Sequence, residues 1–324
     1  MSLFNKRNDE KPAEESHNEL IKESLQMTKE EVREKYHELA KRFAEEDFDD
    51  VYEECDRLKM EYYACYPFIM QLGVLYCNHF MLAGVQSRQV NMLKEAGQMF
   101  ETVMKNSKDK ELARQAESMT ASCYLMLRNT KKVFDILGKQ ARPLDMSEEI
   151  ISQAYQTEGN TKKALEVAQA GIYQHLLGVL SMTPNFLMLT GAKPEKTQEI
   201  MRRTLLIADV YNMDSLHPNT MLQIYFTAAE VYCLQRNFNK AINMLENYAD
   251  VCVNHLFPYR LRGDDYFDSI DDWIDNLDLG AGAPRDEKFI KESVVKGIEN
   301  NPIFKSLANE EDYKNVLKKL DLMK

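Results

Sequence analysis

The chain of 324 residues has only 12 Gly, 9 Pro and a single tryptophan. No uninterrupted apolar run approaches the roughly 18 residues that a membrane span needs. So few turn formers argue against a β fold built on frequent tight turns. Eighteen Met beside a hydrophobic fraction of 44% favour helices with an ample core. Basic residues are also scarce: 41 Lys and Arg against 52 Asp and Glu leave a net charge of −11. A protein that grips a phosphate backbone needs a basic face to displace counterions. Arg202-Arg203 and Lys318-Lys319 sit among acids on helical pattern and read as solvated faces, so no direct nucleic-acid contact is expected. Residues 1–27 contain no apolar core of signal-peptide length, and a soluble, cytoplasmic protein with no membrane contact is expected.

Chemistry-bearing motifs are missing too. There is no Walker loop, GxGxxG, GxSxG or HExxH. Cys55, Cys65, Cys77, Cys123, Cys233 and Cys252 form no CxxC pair, fall mostly on apolar helical positions and read as buried free thiols in a reducing cytosol. His17, His37, His79, His175, His217 and His255 have no paired ligand spacing, and His79 and His175, amid apolar residues, read as core histidines. The run Asp264, Asp265, Asp268, Asp271, Asp272, Asp275 and Asp278 lacks the alternating ligands, mid-loop Gly and closing Glu of a calcium loop. It reads as the acidic face of an amphipathic helix, with Phe267, Ile270, Trp273, Ile274 and Leu277 opposite. No catalytic residue, metal ligand or cofactor is assigned, and no enzyme is expected.

What is present is a repeat. Tyr124, Tyr155 and Tyr232 are each followed by Asn five residues on (Asn129, Asn160, Asn237) and Lys at eight (Lys132, Lys163, Lys240). A small or β-branched residue stands at nine (Val133, Ala164, Ala241) and a bulky apolar one at ten (Phe134, Leu165, Ile242). A small residue precedes each Tyr by three (Ala121, Ser152, Ala229). Small and aromatic residues three apart share a helical face, and an Asn that accepts a left-handed backbone ends the helix before the next begins. The unit is a helical hairpin with the internal spacing of the tetratricopeptide pattern. The first two tyrosines are 31 residues apart, near the nominal repeat of about 34. The interval from 155 to 232 is too long for one unit, so an insertion is expected near 184–212.

The organisation follows: a charged, disordered or loosely helical lead over 1–27, helical repeats over 28–256, and an acidic helix, loop and two capping helices over 257–324. Thr28 with Glu31 has the form of a capping box and starts the ordered part. Tyr66-Pro67 opens a helix apolar on most sides. The expected fold is an all-α, tetratricopeptide-like superhelix with a C-terminal cap, as solenoid ends require.

In such arrays the first helix of each hairpin lines the inner wall. Projection from the Tyr register gives Gln115, Ser118 and Ser122, then Glu149, Gln153 and Gln156, then Gln223, Thr227 and Glu230 as groove residues. These are mostly neutral amides and hydroxyls, suited to bracketing an extended peptide backbone rather than clamping a terminal carboxylate, which would call for Lys and Arg.

The segments YYACYPFIMQLGVLYCNHFMLA (62–83), GIYQHLLGVLSMTPNFL (171–187), LHPNTMLQIYFTAAEVYCLQ (216–235) and LGAGAPRDEKFIKESVVKGIENNPIFKSLA (279–308) carry a family likeness. From about residue 28 to about 320 the chain resembles the C-terminal, tetratricopeptide-like region of XRE-type, lambda-repressor-like transcriptional regulators of Gram-positive gut bacteria. The resemblance implies sensing of a partner or effector, and dimerisation. Members carry an N-terminal helix-turn-helix of roughly 55 or more residues. Only 27 residues, rich in charge, precede the repeats here, so DNA binding is not carried over. The expected function is a non-enzymatic module that binds a peptide, a protein segment or its own copy. The alternative is a regulator acting on DNA directly or through a helix-turn-helix partner.

Overall fold

The computed structural model describes residues 25–143 and 147–323, so the lead expected over 1–27 lies outside the described residues up to residue 24. Helices account for all regular structure, and there is no strand among the described residues. The chain divides between Ala141 and Arg142 into two compact units.

Unit one holds α1 (Lys29–Glu45), α2 (Phe48–Glu61), α3 (Tyr66–His79), a 3-10 turn (Phe80–Ala83), α4 (Gln86–Asn106), α5 (Lys110–Met126) and α6 (Thr130–Leu137). The Thr28 capping box forms: Glu31 N–H donates to Thr28 Oγ1 at 3.2 Å, and Thr28 N–H to Glu31 Oε2 at 2.7 Å. Val32, Tyr36, Leu39, Ala40 and Phe43 bury one stripe of α1. α3 buries nine of its positions, in keeping with its apolar circumference. Gly73 lets it approach α4, for a Cβ there would lie 2.6 Å from the Phe100 ring. His79 is a core histidine as read, its ring stacked 5.0 Å from that of Phe43 and its Nδ1 2.8 Å from the Leu75 carbonyl.

Unit two holds α7 (Ser147–Thr157), α8 (Thr161–Ser181), α9 (Thr183–Thr190), α10 (Pro194–Val210), α11 (Met213–Leu216), α12 (Pro218–Leu234), α13 (Phe238–Asn254), α14 (Asp271–Asp275), α15 (Glu287–Glu299), a 3-10 turn (Phe304–Leu307) and α16 (Glu311–Leu320). α9 and α10 span the stretch 184–212, and α11 follows it. α12 is the central element: eleven of its residues are buried, and α8, α9, α11, α13 and the 304–307 turn pack around it. His175, in contrast, faces solvent on α8 rather than the core.

The three repeat turns share one geometry. Asn129, Asn160 and Asn237 donate their N–H to the carbonyls of Tyr124, Tyr155 and Tyr232 at 2.8, 2.9 and 2.9 Å. The residues before them, Arg128, Gly159 and Arg236, donate to Leu125, Gln156 and Cys233. These are the two bonds of a Schellman motif. The left-handed residue is not the asparagine, as expected from sequence, but its predecessor, with φ of 58° at Arg128, 79° at Gly159 and 59° at Arg236. Each Asn side chain instead accepts the N–H of the following Lys and caps the next helix. Lys132 and Lys240 fold back so that each Nζ lies 5.6 Å from the Tyr124 or Tyr232 ring centroid.

The side chains of the copies diverge. Tyr232 is buried while Tyr124 and Tyr155 are half-buried, and of the bulky tenth residues only Ile242 is buried. The hairpin built on Tyr232 has α12 at the centre of its unit, whereas Phe134 stands on α6, which buries no residue.

The long acidic helix does not form. Only Asp271–Asp275 is helical. Asp264 Oδ1 accepts the N–H groups of Tyr266 and Phe267, and Asp271 Oδ1 accepts that of Gly263, so carboxylates take up backbone donors that a helix would have used. The apolar residues still pack: Phe267, Ile270 and Ile274 are buried, and the Tyr173 ring meets Phe267 and Trp273 edge to face.

Candidate functional site

The residues projected onto an inner wall lie in different settings. In unit one, Gln115, Ser118 and Ser122 are exposed along one face of α5. In unit two, Glu149, Gln153 and Gln156 are exposed on α7, with Gln153 Nε2 donating to Glu149 Oε1 at 3.3 Å. The third set does not line an open wall. Gln223 is exposed, but Thr227 and Glu230 are half-buried, and Glu230 Oε1 accepts from Asn301 Nδ2 at 2.8 Å. Phe226 beside them packs against Phe304, 5.5 Å between centroids. Projection from the Tyr register left out the apolar circumference of α12, which attracts cover on every side.

The insertion supplies two concave surfaces that the sequence reading missed. The first is an apolar groove of about 330 Å³ between the end of α8, α9 and α10. Pro184 in the first turn of α9 follows the end of α8 at Ser181, and Thr183 Oγ1 lies 3.3 Å from Thr204 Oγ1, tying α9 to α10. Leu180 and Ile200 are buried beneath. Above them Val179, Met182 and Phe186 remain 57%, 63% and 44% exposed. The rim is charged. Lys196 Nζ stands 5.5 Å from the Phe186 centroid. Glu199 accepts from Arg202 at 2.8 Å and Arg203 at 2.7 Å, and these two bonds hold its carboxyl down to about 2.

The second is a cleft of about 640 Å³ lined by Arg202, Leu206, Asp209, Asp214, Ser215, Tyr225 and His255, from α10, α11, α12 and the end of α13. Ser215 Oγ is 2.8 Å from His255 Nδ1. Asp214 accepts from the Tyr225 hydroxyl at 3.0 Å, and burial raises its pKa above the ordinary carboxylate value. The carboxylate beside the Ser–His contact is thus held by a phenol rather than by the imidazole, which is not the arrangement of a nucleophile, base and orienting acid.

A signal for the first groove was present in the sequence. Phe186, Met188 and Leu189 are apolar in a segment outside the repeat register, where no hairpin core position claims them. The second cleft gathers residues from position 202 to 255 and has no local signature. No known family, no curated protein and no solved structure matches the chain.

Proposed function

We propose that the chain is a non-enzymatic, cytoplasmic helical-repeat module of tetratricopeptide-like kind that binds a protein or peptide segment in the groove between α8, α9 and α10. The observation that carries this reading is the exposure of Val179, Met182 and Phe186 together above a buried floor of Leu180 and Ile200. Adjacent exposed apolar side chains rimmed by charge are the anatomy of a recognition surface. Burying a side chain such as Phe186 contributes about 1.5–3 kcal/mol, enough for a few anchors to hold a partner.

The rim narrows the partner. Lys196 and Arg203 outnumber Glu199 on the rim, so an amphipathic segment with apolar anchors and acidic flanks is complementary, although the chain as a whole carries −11. The exposed amides and hydroxyls of Gln115, Ser118 and Ser122 on α5, and of Gln153 and Gln156 on α7, are further polar contact faces. The resemblance to the sensing and oligomerisation region of XRE-type regulators agrees with this reading. A second copy of the chain is the alternative occupant.

Selection of displayed random peptides on the full chain, repeated on Phe186→Asp, tests the proposal. Peptides with apolar anchors and acidic flanks, retained by the natural chain and lost on Phe186→Asp, are the expected result. Peptides retained equally by both chains, or none retained by a chain that light scattering finds monomeric, would contradict it.

A further inference from the structure

Two of the six thiols meet within unit one. Cys77 on α3 and Cys123 on α5 are 46 residues apart in sequence, yet their sulfurs are separated by 3.5 Å. Both helices pack on α4, where Gly97 faces Cys123: a Cβ on Gly97 would lie 3.5 Å from the Cys123 Cβ. Cys77 is partly accessible to solvent, and Cys123 is buried.

We propose that Cys77 and Cys123 form an oxidisable pair that hydrogen peroxide converts to a disulfide joining α3 to α5. The geometry sets the order of events. Peroxide reaches Cys77 first. The Cys77 thiol passes its proton across the contact to the Cys123 sulfur and attacks one peroxide oxygen as the thiolate, the O–O bond breaks, and the departing oxygen takes a proton from solvent and leaves as water, giving a sulfenic acid at Cys77. The Cys123 sulfur then attacks the Cys77 sulfur, the S–O bond breaks, and the leaving hydroxyl takes the Cys123 proton and departs as a second water. Two thiols lose two electrons and two protons, and one peroxide becomes two waters. A dithiol reductant reverses the reaction, its own thiols becoming a disulfide.

The surroundings favour the pair. The contact between the two sulfurs holds the Cys123 thiol below its ordinary value, while the same contact and burial push the Cys77 thiol up, so it is access to solvent and not acidity that makes Cys77 the first to react. Burial pushes three thiols outside the pair up, Cys55 and Cys252 to about 12 and Cys233 to about 11. A disulfide needs a sulfur separation of about 2.05 Å, so the pair must close by roughly 1.5 Å, within reach of side-chain rotation and small helix shifts. Closure fixes α5, which carries Gln115, Ser118 and Ser122, to α3. A peroxide signal would thereby reach a polar face of unit one.

The test is peptide mapping by mass spectrometry of the full chain, kept folded, treated with hydrogen peroxide and digested without reduction. The expected product is a cross-linked peptide pair joining 77 to 123, lighter by two hydrogens and released by dithiothreitol. In Cys123→Ser, Cys77 halts at the sulfenic acid and is captured by dimedone. In Cys77→Ser, the buried Cys123 stays reduced. Recovery of Cys77 and Cys123 as alkylatable thiols after peroxide, or indiscriminate oxidation of all six cysteines in the folded chain, would overturn the proposal.

Discussion

The amide N–H of Asn237 donates to the carbonyl of Tyr232 at 2.9 Å, while its side-chain oxygen accepts the N–H of Lys240 at 3.4 Å. One asparagine therefore closes α12 and opens α13. Asn129 and Asn160 play the same two parts. The spacing of Tyr, Asn five later and Lys eight later is the hydrogen-bond pattern of this turn expressed in residues, with Lys240 covering the Tyr232 ring besides.

Replacing Asn237 tests the cap. Asn237→Ala leaves the first turn of α13 without its side-chain acceptor and is expected to lower stability by about 1 kcal/mol, whereas Asn237→Gly costs only a few tenths. Urea unfolding followed by circular dichroism measures both. Equal losses in the two variants would assign the effect to something other than the cap.

Arg236 holds φ at 59° and Arg128 at 58°, where the third copy has Gly159. A side chain in that region costs roughly 1–2 kcal/mol, partly offset by the backbone freedom that glycine loses on folding. Arg236→Gly is accordingly expected to raise stability by about 0.5–1 kcal/mol, and Gly159→Ala to lower it. Thermal unfolding of the pair checks the opposite signs.

These turns were legible because their bonds join residues within a few positions of each other, so spacing alone encodes them. The helix starts at Thr28 and Tyr66 were legible for the same reason. The stretch from Asp264 to Asp278 misled because periodicity of charge and apolarity looks helical even where carboxylates take up the backbone donors. The groove at Val179, Met182 and Phe186 joins three helices, and the Cys77–Cys123 contact spans 46 residues. The thiol contact has no spacing that a linear reading detects, and of the groove only the apolar segment around Phe186, outside the repeat register, could have been noticed. Register likewise placed Thr227 and Glu230 on a wall without registering the C-terminal segment that engages Glu230.

Gly73 is required by the approach of Phe100. A methyl group there would sit 2.6 Å from the ring, so Gly73→Ala is expected to cost about 1–3 kcal/mol through overpacking, despite alanine's better helix propensity. Phe100→Leu in the same chain should recover part of the loss. A gain in stability from Gly73→Ala alone would show that the ring moves aside freely.

His217 gives the fold a pH dependence of known sign. Its Nδ1 accepts the Thr220 N–H at 3.3 Å at the start of α12, and burial holds the imidazole below its ordinary value of about 6.5. A folded value below the unfolded one means that the unfolded chain binds the proton more tightly. The contribution is intact above the unfolded value and is lost as pH falls from there towards the folded value. Unfolding measured across this window should show a stability loss that His217→Asn, which keeps a cap acceptor, reduces. Identical slopes in both chains would remove His217 from the account.

The groove of unit two is tested most directly by amide hydrogen exchange on the full chain with and without a selected acidic, amphipathic peptide. Slowed exchange concentrated at the end of α8, in α9 and in the first turns of α10, and absent in Phe186→Asp, is the expected result. A peptide that binds while leaving these segments unchanged and slowing exchange elsewhere would contradict the placement of the binding surface.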